Sequence, residues 1–419
     1  MSDVARCVLS LVAASLTAGA LAAADRPPNI VLIISDDQAW TDYSFMQHPA
    51  IQTPHIDRLA RQGVCFTRGY VPASLCRASL MSIITGLYPH QHLVTGNDPP
   101  KGTDRTLMLK HVRRAATLPK LLGERGYVSF QSGKWWEGSF REGGFSAGMT
   151  HGDVQRGGRH GDEGLKIGRQ DLQPVYDFIE SRGDKPFFLW YAPMLPHQPH
   201  NPPQRLLDKY AGKTDSLHVA KYWAMCEWFD ETCGELLSYL DKQGLSQNTL
   251  VIYVTDNGWI QDPEAPNFAP RSKRSPNEGG IRTPIIVRWP GHVSPKRDDQ
   301  SLVSSLDIAP TILAAAGIAP KQEMTGVNFL EVATCKRPAH DALVGEIFEH
   351  DVADLAEPTK GLNSRWCIQG HWKLIQTADG SGQELYDLAA DPDEKKDLAA
   401  EHADVVRDLA KRTNAVWRP

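Results

Sequence analysis

Two stretches of this chain share one pattern: a continuous apolar run that stops abruptly at acidic or amide residues. Asn29-Ile30-Val31-Leu32-Ile33-Ile34 ends at Ser35-Asp36-Asp37, and Thr249-Leu250-Val251-Ile252-Tyr253-Val254 ends at Thr255-Asp256-Asn257-Gly258. Uninterrupted, largely β-branched runs of this length suit strands buried on both faces of a parallel sheet. A third run, Pro186-Phe187-Phe188-Leu189-Trp190-Tyr191, ends at a loop rich in Pro and His. Between these runs lie helix-like segments at 117–122 and 219–243, and the pattern over 306–313 predicts a helix ending near Gly317. Strands alternating with helices predict an α/β fold, a large, mostly parallel mixed sheet sandwiched by helices. Ligands bind at the carboxyl ends of such strands.

Beyond residue 320 the character changes. Strand-like runs at 343–348, 364–369, 372–376 and 384–388, then a charged helix at 393–413, predict a small C-terminal antiparallel sheet and a terminal helix. The expected organisation is a leader at 1–24, a catalytic α/β domain at 25–320 and an α+β subdomain at 321–419. Residues 138–170 stand apart, with Gly, His, Arg and Asp prominent and little periodicity. A long polar loop in a compact domain is either functional or disordered, and its position directly after Ser132-Gly133-Lys134 favours a pocket-lining role.

The 419 residues are 41% hydrophobic and 23% charged, ordinary for a globular protein, and the formal charge of −5 gives no sign of a nucleic-acid surface. Arg6, the apolar stretch from Cys7 to Leu21, and Ala20, Ala22, Ala23 and Ala24 form a secretory leader with a small-residue cleavage site. No later segment resembles a membrane span, so a secreted or periplasmic protein without stable membrane insertion is expected. Six cysteines remain after the leader. Cys226 and Cys233 lie seven residues apart in a helical segment, about 10 Å along the axis and beyond disulfide reach. Export permits disulfides, and a Cys335–Cys367 pairing is one candidate.

Four oxygen-bearing side chains, Asp36, Asp37, Asp256 and Asn257, would converge if the first two runs are neighbouring strands. Such a set suits a hard cation, Ca²⁺ or Mg²⁺, rather than zinc. Either pair alone signals only a turn after a strand. The segment Cys76-Arg77-Ala78-Ser79-Leu80, leading into Met81-Ser82-Ile83-Ile84-Thr85-Gly86, changes that reading.

These residues together resemble the type I sulfatases of the alkaline phosphatase superfamily, from about residue 28 to the terminal helix. Asn29 to Asp37 matches the opening strand and metal aspartates, and Thr255-Asp256-Asn257-Gly258 the second metal motif. Lys134 in Ser132-Gly133-Lys134-Trp135, His197 in Pro196-His197-Gln198-Pro199, and Lys273 ahead of Glu278-Gly279-Gly280-Ile281-Arg282 fall on the family's active-site positions. The tail Glu384-Leu385-Tyr386-Asp387-Leu388 with Asp391-Pro392 also has the family's form.

The resemblance implies that Cys76 is converted to formylglycine by a formylglycine-generating or sulfatase-maturating enzyme. It further implies that Asp36, Asp37, residue 76, Asp256 and Asn257 hold Ca²⁺, with Mg²⁺ as the alternative. A sulfated small molecule or glycan would then be cleaved through a covalent sulfo-enzyme. Lys134 and Lys273 would hold sulfate oxygens, and one of them or His197 would protonate the leaving alkoxide.

Two positions depart from the family pattern. Leu80 stands where Cys-x-(Pro/Ala)-Ser-Arg has its arginine, and Trp136 where Gly-Lys-Trp-His has its histidine. Arg77 is near the first vacancy, while His90, His92, His151 and His160 are candidates for the second. Trp135, Trp136 and the 138–170 loop could supply a stacking surface for sugar rings, although core packing is the commoner role of such aromatics. The departures keep two alternatives open: a phosphodiester or phosphonate hydrolase of the same superfamily, and a non-catalytic protein that binds sulfated glycans.

Overall fold

A computed structural model describes residues 26–419, and the leader at 1–24 lies outside the described residues. The larger sheet comprises β1 (Asn29–Ser35), β2 (Val64–Tyr70), β3 (Val128–Gly133), β4 (Ala147–Gly148), β5 (Phe187–Ala192), β6 (Thr249–Thr255), β7 (Arg282–Arg288), β8 (Lys296–Asp298) and β9 (Val303–Ser304). Its order is β4-β3-β5-β1-β6-β7-β2-β8, with β9 also paired to β2. Only β7 runs against its neighbours β6 and β2. This is the mostly parallel mixed sheet that the apolar runs predict.

Every residue of β1, β5 and β6 is buried. Alternation divides them between two cores. Ile30, Leu32 and Ile34 pack on one face with Val254 and the helix Cys76–Thr85, while Val31 and Ile33 pack on the other with Met225, Phe229 and Leu236 of the helix Leu217–Lys242. The β1–β6 register pairs Ser35 with Thr255, so Asp36 and Asp256 leave the sheet side by side. Four adjacent parallel strands, β3, β5, β1 and β6, thereby deliver their carboxyl ends to one edge.

The second sheet is antiparallel, in the order β10 (Ala342–Phe348), β11 (Leu362–Gln369), β12 (Trp372–Thr377) and β13 (Gln383–Asp387). The terminal helix spans Ala403–Val416 rather than 393–413. Its expected first part is held in turns by side chains that capture backbone amides: Asp391 accepts from Lys396, and Asp397 from Leu385 and Ala399. Cys335 and Cys367 are not bonded; the former is exposed, the latter buried in β11. No helix among the described residues is long and apolar enough to cross a membrane.

The two sheets meet through a buried charge network. Lys373 on β12, fully buried, places Nζ 3.1 Å from Glu278 Oε1 and 2.8 Å from Glu394 Oε1. Tyr70 at the end of β2 donates to Glu278. Elsewhere His340 pairs with Asp307 at 2.8 Å, ahead of the helix Ile308–Ala315.

Two predictions arise from these contacts. Lys373→Ala strands two buried carboxylates, and urea unfolding should show a loss of about 3–5 kcal/mol; a loss below about 1 kcal/mol would mean that the network carries no stability. For His340, burial opposes the charged ring, but the Asp307 carboxylate outweighs it and raises the pKa above the usual histidine value. A raised histidine stabilises fully below its unfolded pKa, about 6.5, and the contribution disappears as pH rises through the folded value. The stability gap between wild type and His340→Gln should therefore be largest in acid and shrink toward alkaline pH.

Candidate active site

The carboxyl edge of the sheet gathers the residues that the sequence singles out. Asp36 and Asp37 follow β1, and Asp256 and Asn257 follow β6. Lys134 follows β3, and His197 lies in the loop after β5. Lys273 comes from the long connection before β7. Cys76 opens the helix after β2 as its first residue, with Leu75 as the N-cap. Two backbone details fix these positions. Gly133 has φ +83°, and a Cβ there would lie 1.9 Å from the Ala192 carbonyl oxygen, so only glycine lets Lys134 leave β3 this close to β5. Asp37 has φ 62°, an uncommon conformation that turns its carboxylate back toward β6.

Asp37 is the hub. Its Oδ1 accepts from Asn257 Nδ2 at 2.7 Å and lies 3.9 Å from Cys76 Sγ. Its Oδ2 lies 2.7 Å from Lys273 Nζ and 3.4 Å from His197 Nε2. Asp36 Oδ1 is 2.6 Å from Lys134 Nζ, which is also 3.7 Å from Asp256 Oδ2. Asp256 Oδ1 accepts from the backbone amides of Asp37 and Asn257. All of these side chains except His197, which is 14% exposed, are at least nine-tenths buried.

Three buried carboxylates therefore face two ammoniums. Burial raises the pKa of Asp256, and the neighbouring Asp36 adds to the effect. Burial pushes Asp37 the same way, but the neighbouring positive charges, Lys273 foremost, overcome it and hold this carboxyl well below its usual range. Burial also pushes the Cys76 thiol up to about 12 against the pull of both lysines. An unmodified thiol here is protonated at neutral pH and is a weak nucleophile.

A divalent cation fits this donor set. Asp36 Oδ2, Asp256 Oδ2 and Asn257 Oδ1 are buried and have no hydrogen-bond donor. Buried oxygens without a donor call for an explanation, and three on adjacent strand ends provide hard ligands for Ca²⁺ or Mg²⁺. Metal-ligating atoms of Asp36, Asp37, Cys76 and His197 also lie within 4.8 Å of one another. The unpartnered oxygens make the set with Asp256 and Asn257 the better cage, because a hard cation prefers oxygen ligands to the nitrogen of His197 or the sulfur of Cys76.

The two departures from the motif have physical explanations. Leu80 is 4% exposed, one turn beyond Cys76, and packs in the apolar core with Ile83 and Ile84. Arg77 points elsewhere: its guanidinium binds Glu137 at 2.6 and 2.8 Å and the carbonyl of Gly96 at 3.1 Å. It ties the first turn of the Cys76 helix to the segment after Lys134 and does not replace an arginine at position 80. Of the four candidate histidines, only His160 approaches the site, with its ring 5.6 Å from that of His197. His90 stacks on Trp417, His92 bonds Ser82, and His151 packs on Phe140.

Trp135 and Trp136 are each 2% exposed, so they cannot be an open stacking platform. Trp135 is wedged against Phe145 and Trp190. The 138–170 segment does line a pocket, a small cavity beside Trp136 that Arg105 also borders. Glu137 and Arg159 carried no signal in the sequence, because their partners, Arg77 and Asp98, are distant along the chain; Arg105 lies near Asp98 in sequence but in no motif.

A buried cluster of carboxylates and lysines at the strand ends of a doubly covered sheet, with donorless oxygens fit for a hard cation, suits hydrolysis of an anionic ester. Comparison with known proteins narrows that class. A family model described as Sulfatase matches residues 28–318, and one described as N-sulphoglucosamine sulphohydrolase, C-terminal, matches residues 270–418. The chain is 30% identical to N-acetylgalactosamine-6-sulfatase of Canis lupus familiaris over 368 residues, covering 76% of this chain and 67% of that protein. Against arylsulfatase A of Homo sapiens the identity is 29% over 445 residues, covering 89% and 83%. The crystal structure of Ps i-CgsB has the same fold, with a TM-score of 0.76 at 24% identity, covering 93% of this chain and 92% of that one. The chain belongs to the sulfatase family, within the alkaline phosphatase superfamily. It is a sulfuric ester hydrolase.

The orphaned oxygens predict cation-dependent stability. Ca²⁺ at about 100 times its Kd should stabilise the folded protein by about 2.7 kcal/mol. The thermal midpoint should rise accordingly for wild type and stay unchanged for Asp256→Asn. Equal shifts in both proteins would place the cation elsewhere.

Proposed function

We propose that the protein releases inorganic sulfate from a sulfated carbohydrate, using a formylglycine made from Cys76 and a divalent cation held by Asp36, Asp37, Asp256 and Asn257. The observation that carries this reading is the set of three donorless oxygens beside the residue that opens the Cys76 helix. The all-oxygen set favours Ca²⁺, with Mg²⁺ as the alternative. The apolar leader and its small-residue end support a secreted or periplasmic location, with residues 25–320 as the catalytic unit and 321–419 as the C-terminal subdomain.

A sulfate ester gains charge on its leaving oxygen as the S–O bond breaks, so cations fixed around it lower the barrier. When bound, the divalent cation supplies Lewis-acid polarisation of a sulfate oxygen. The modified residue 76 supplies a hydrate hydroxyl as nucleophile, at a helix N-terminus whose amides favour negative charge. Lys134 and Lys273 hold the sulfate oxygens. Although burial disfavours both ammoniums, Asp36 beside Lys134 and Asp37 beside Lys273 outweigh it and raise their pKa values. They therefore act as fixed charges rather than acids.

His197 is then the proton carrier. A carbonyl only accepts, so Nδ1 donates to Gln198 and leaves Nε2 free for proton transfer. Burial and Lys134 pull its pKa well below the ordinary value, so the ring is neutral at rest. It takes a proton as the hydroxyl attacks sulfur and gives one to the leaving alkoxide. Residue 76 is then a sulfated hydrate, whose second hydroxyl loses its proton as the C–O bond to sulfate breaks, so the aldehyde re-forms and inorganic sulfate leaves.

The first substrates to assay are 6-O-sulfated N-acetylgalactosamine compounds, in line with the name of a 30%-identical relative. Native-host protein should release sulfate from at least one sulfated sugar, and its Cys76 peptide should carry the aldehyde mass. Cys76→Ala should abolish turnover, and His197→Ala should lower kcat by about 10²–10⁴. Faster turnover of phosphate esters in parallel would favour the phosphodiester or phosphonate alternative. An unmodified thiol throughout, with no sulfate released, would leave a glycan-binding protein.

A further inference from the structure

We propose that the cavity beside Trp136 is a second anion subsite, which takes a carboxylate or sulfate group carried by the substrate in addition to the ester that is cleaved. This rests on the sulfate-ester reading above and specifies the substrate class: a carbohydrate with at least two anionic groups.

The cavity holds about 80 Å³ and is bordered by Arg105, Trp136, Thr150 and Arg159. That volume accommodates one oxyanion or roughly a few water molecules, but not a sugar ring. Two of its lining side chains carry buried donors without an acceptor: the indole N–H of Trp136, a residue 2% exposed, and Nη2 of Arg105. Leaving such a donor unmatched costs about 1–3 kcal/mol, so the pair is explained by an acceptor that arrives with a ligand.

Charge selects what that acceptor is. Arg105 and Arg159 each bind Asp98, at 2.8 Å to Oδ1 and 2.8 Å to Oδ2. One carboxylate is thus shared by two guanidiniums. A second, Asp351, lies within 4.8 Å of Asp98 but is 60% exposed, where water screens it, and pairs with His350. The charge facing the cavity itself is therefore mainly that of the two arginines. The nearby Arg77–Glu137 pair is self-compensating and adds none. A neutral hydroxyl could fill the space, but an anion also meets the surplus charge.

The placement links this cavity to the catalytic pocket. Three cations surround one indole: Arg105 at 5.2 Å, Arg159 at 5.4 Å and Lys134 at 5.7 Å from the Trp136 ring. Lys134 belongs to the pocket that holds the scissile sulfate, so both anions would be borne by one sugar or by neighbouring sugars. Trp136 separates the two positions and, at the same time, is the side chain they share.

The test measures binding to full-length Cys76→Ala protein by calorimetry, so that no probe is consumed. The probes are N-acetylgalactosamine 6-sulfate, its 4,6-disulfate, a disaccharide joining the 6-sulfate to a uronic acid, and the carboxyl-reduced form of that disaccharide. At least one dianionic probe should bind about tenfold more tightly than its monoanionic counterpart. Preference for the disulfate assigns the subsite to sulfate, and preference for the uronate assigns it to carboxylate.

Arg159→Gln and Arg105→Gln should erase the preference and leave monoanion binding intact. Arg159→Lys should restore part of it, and Asp98→Asn should strengthen it. Equal affinity for all probes, uniform weakening in the arginine variants, or no binding of either dianionic probe would overturn the proposal. Turnover by native-host protein is followed separately on the monosulfated probe. Turnover without a dianion preference removes the subsite alone, and preference without any sulfate release removes the catalytic reading alone.

Discussion

The repulsion among three carboxylates buried side by side at the ends of β1 and β6 is the constraint that the rest of the site satisfies. Ions removed from water cost several kcal/mol each unless close counter-charges compensate them. Lys134 and Lys273 are those counter-charges, and they reach the carboxylates from two separate connections. Each lysine is itself buried, so it too requires its partners. The proposed hard cation would complete the balance and leave the site positive overall, which is what an incoming sulfate ester needs.

Meeting that constraint sets demands on distant parts of the chain. Gly133 lets the Lys134 connection leave the sheet against Ala192, and the Arg77–Glu137 pair braces it against the Cys76 helix. The connection carrying Lys273 runs into Glu278, which Lys373 of the second sheet holds in place. The small C-terminal sheet thus supports the active edge through a chain of buried charges, without supplying any residue of the catalytic pocket described here.

The strands and their terminal aspartates were legible because a strand covered on both faces reads as an unbroken apolar run. The convergence of Asp36 with Asp256 then followed from one assumption, that the two runs are neighbours, and their register bears it out. The Arg77–Glu137 pair was not legible, since nothing local indicates that residues 60 positions apart will meet. Nor was the start of the last helix: Asp397 looks like a helix-surface residue until its side chain is seen bonded to the amides of Leu385 and Ala399. Trp135 and Trp136 suggested a sugar platform, but burial makes the first a core residue and the second a partition between cations.

Cys76 has no solvent-accessible surface, and all ten residues of the helix it opens are buried. A modifying enzyme must grip the backbone on either side of the residue it alters, and in the finished molecule that stretch offers nothing to grip. Any conversion of Cys76 is therefore an event of biosynthesis that precedes burial of this helix. The interval between synthesis and compaction becomes a deadline: a copy that folds first keeps its thiol permanently. Under the formylglycine proposal, the proportion of active molecules in a preparation would be decided by a race between two rates, and slowing the collapse of the chain would raise it.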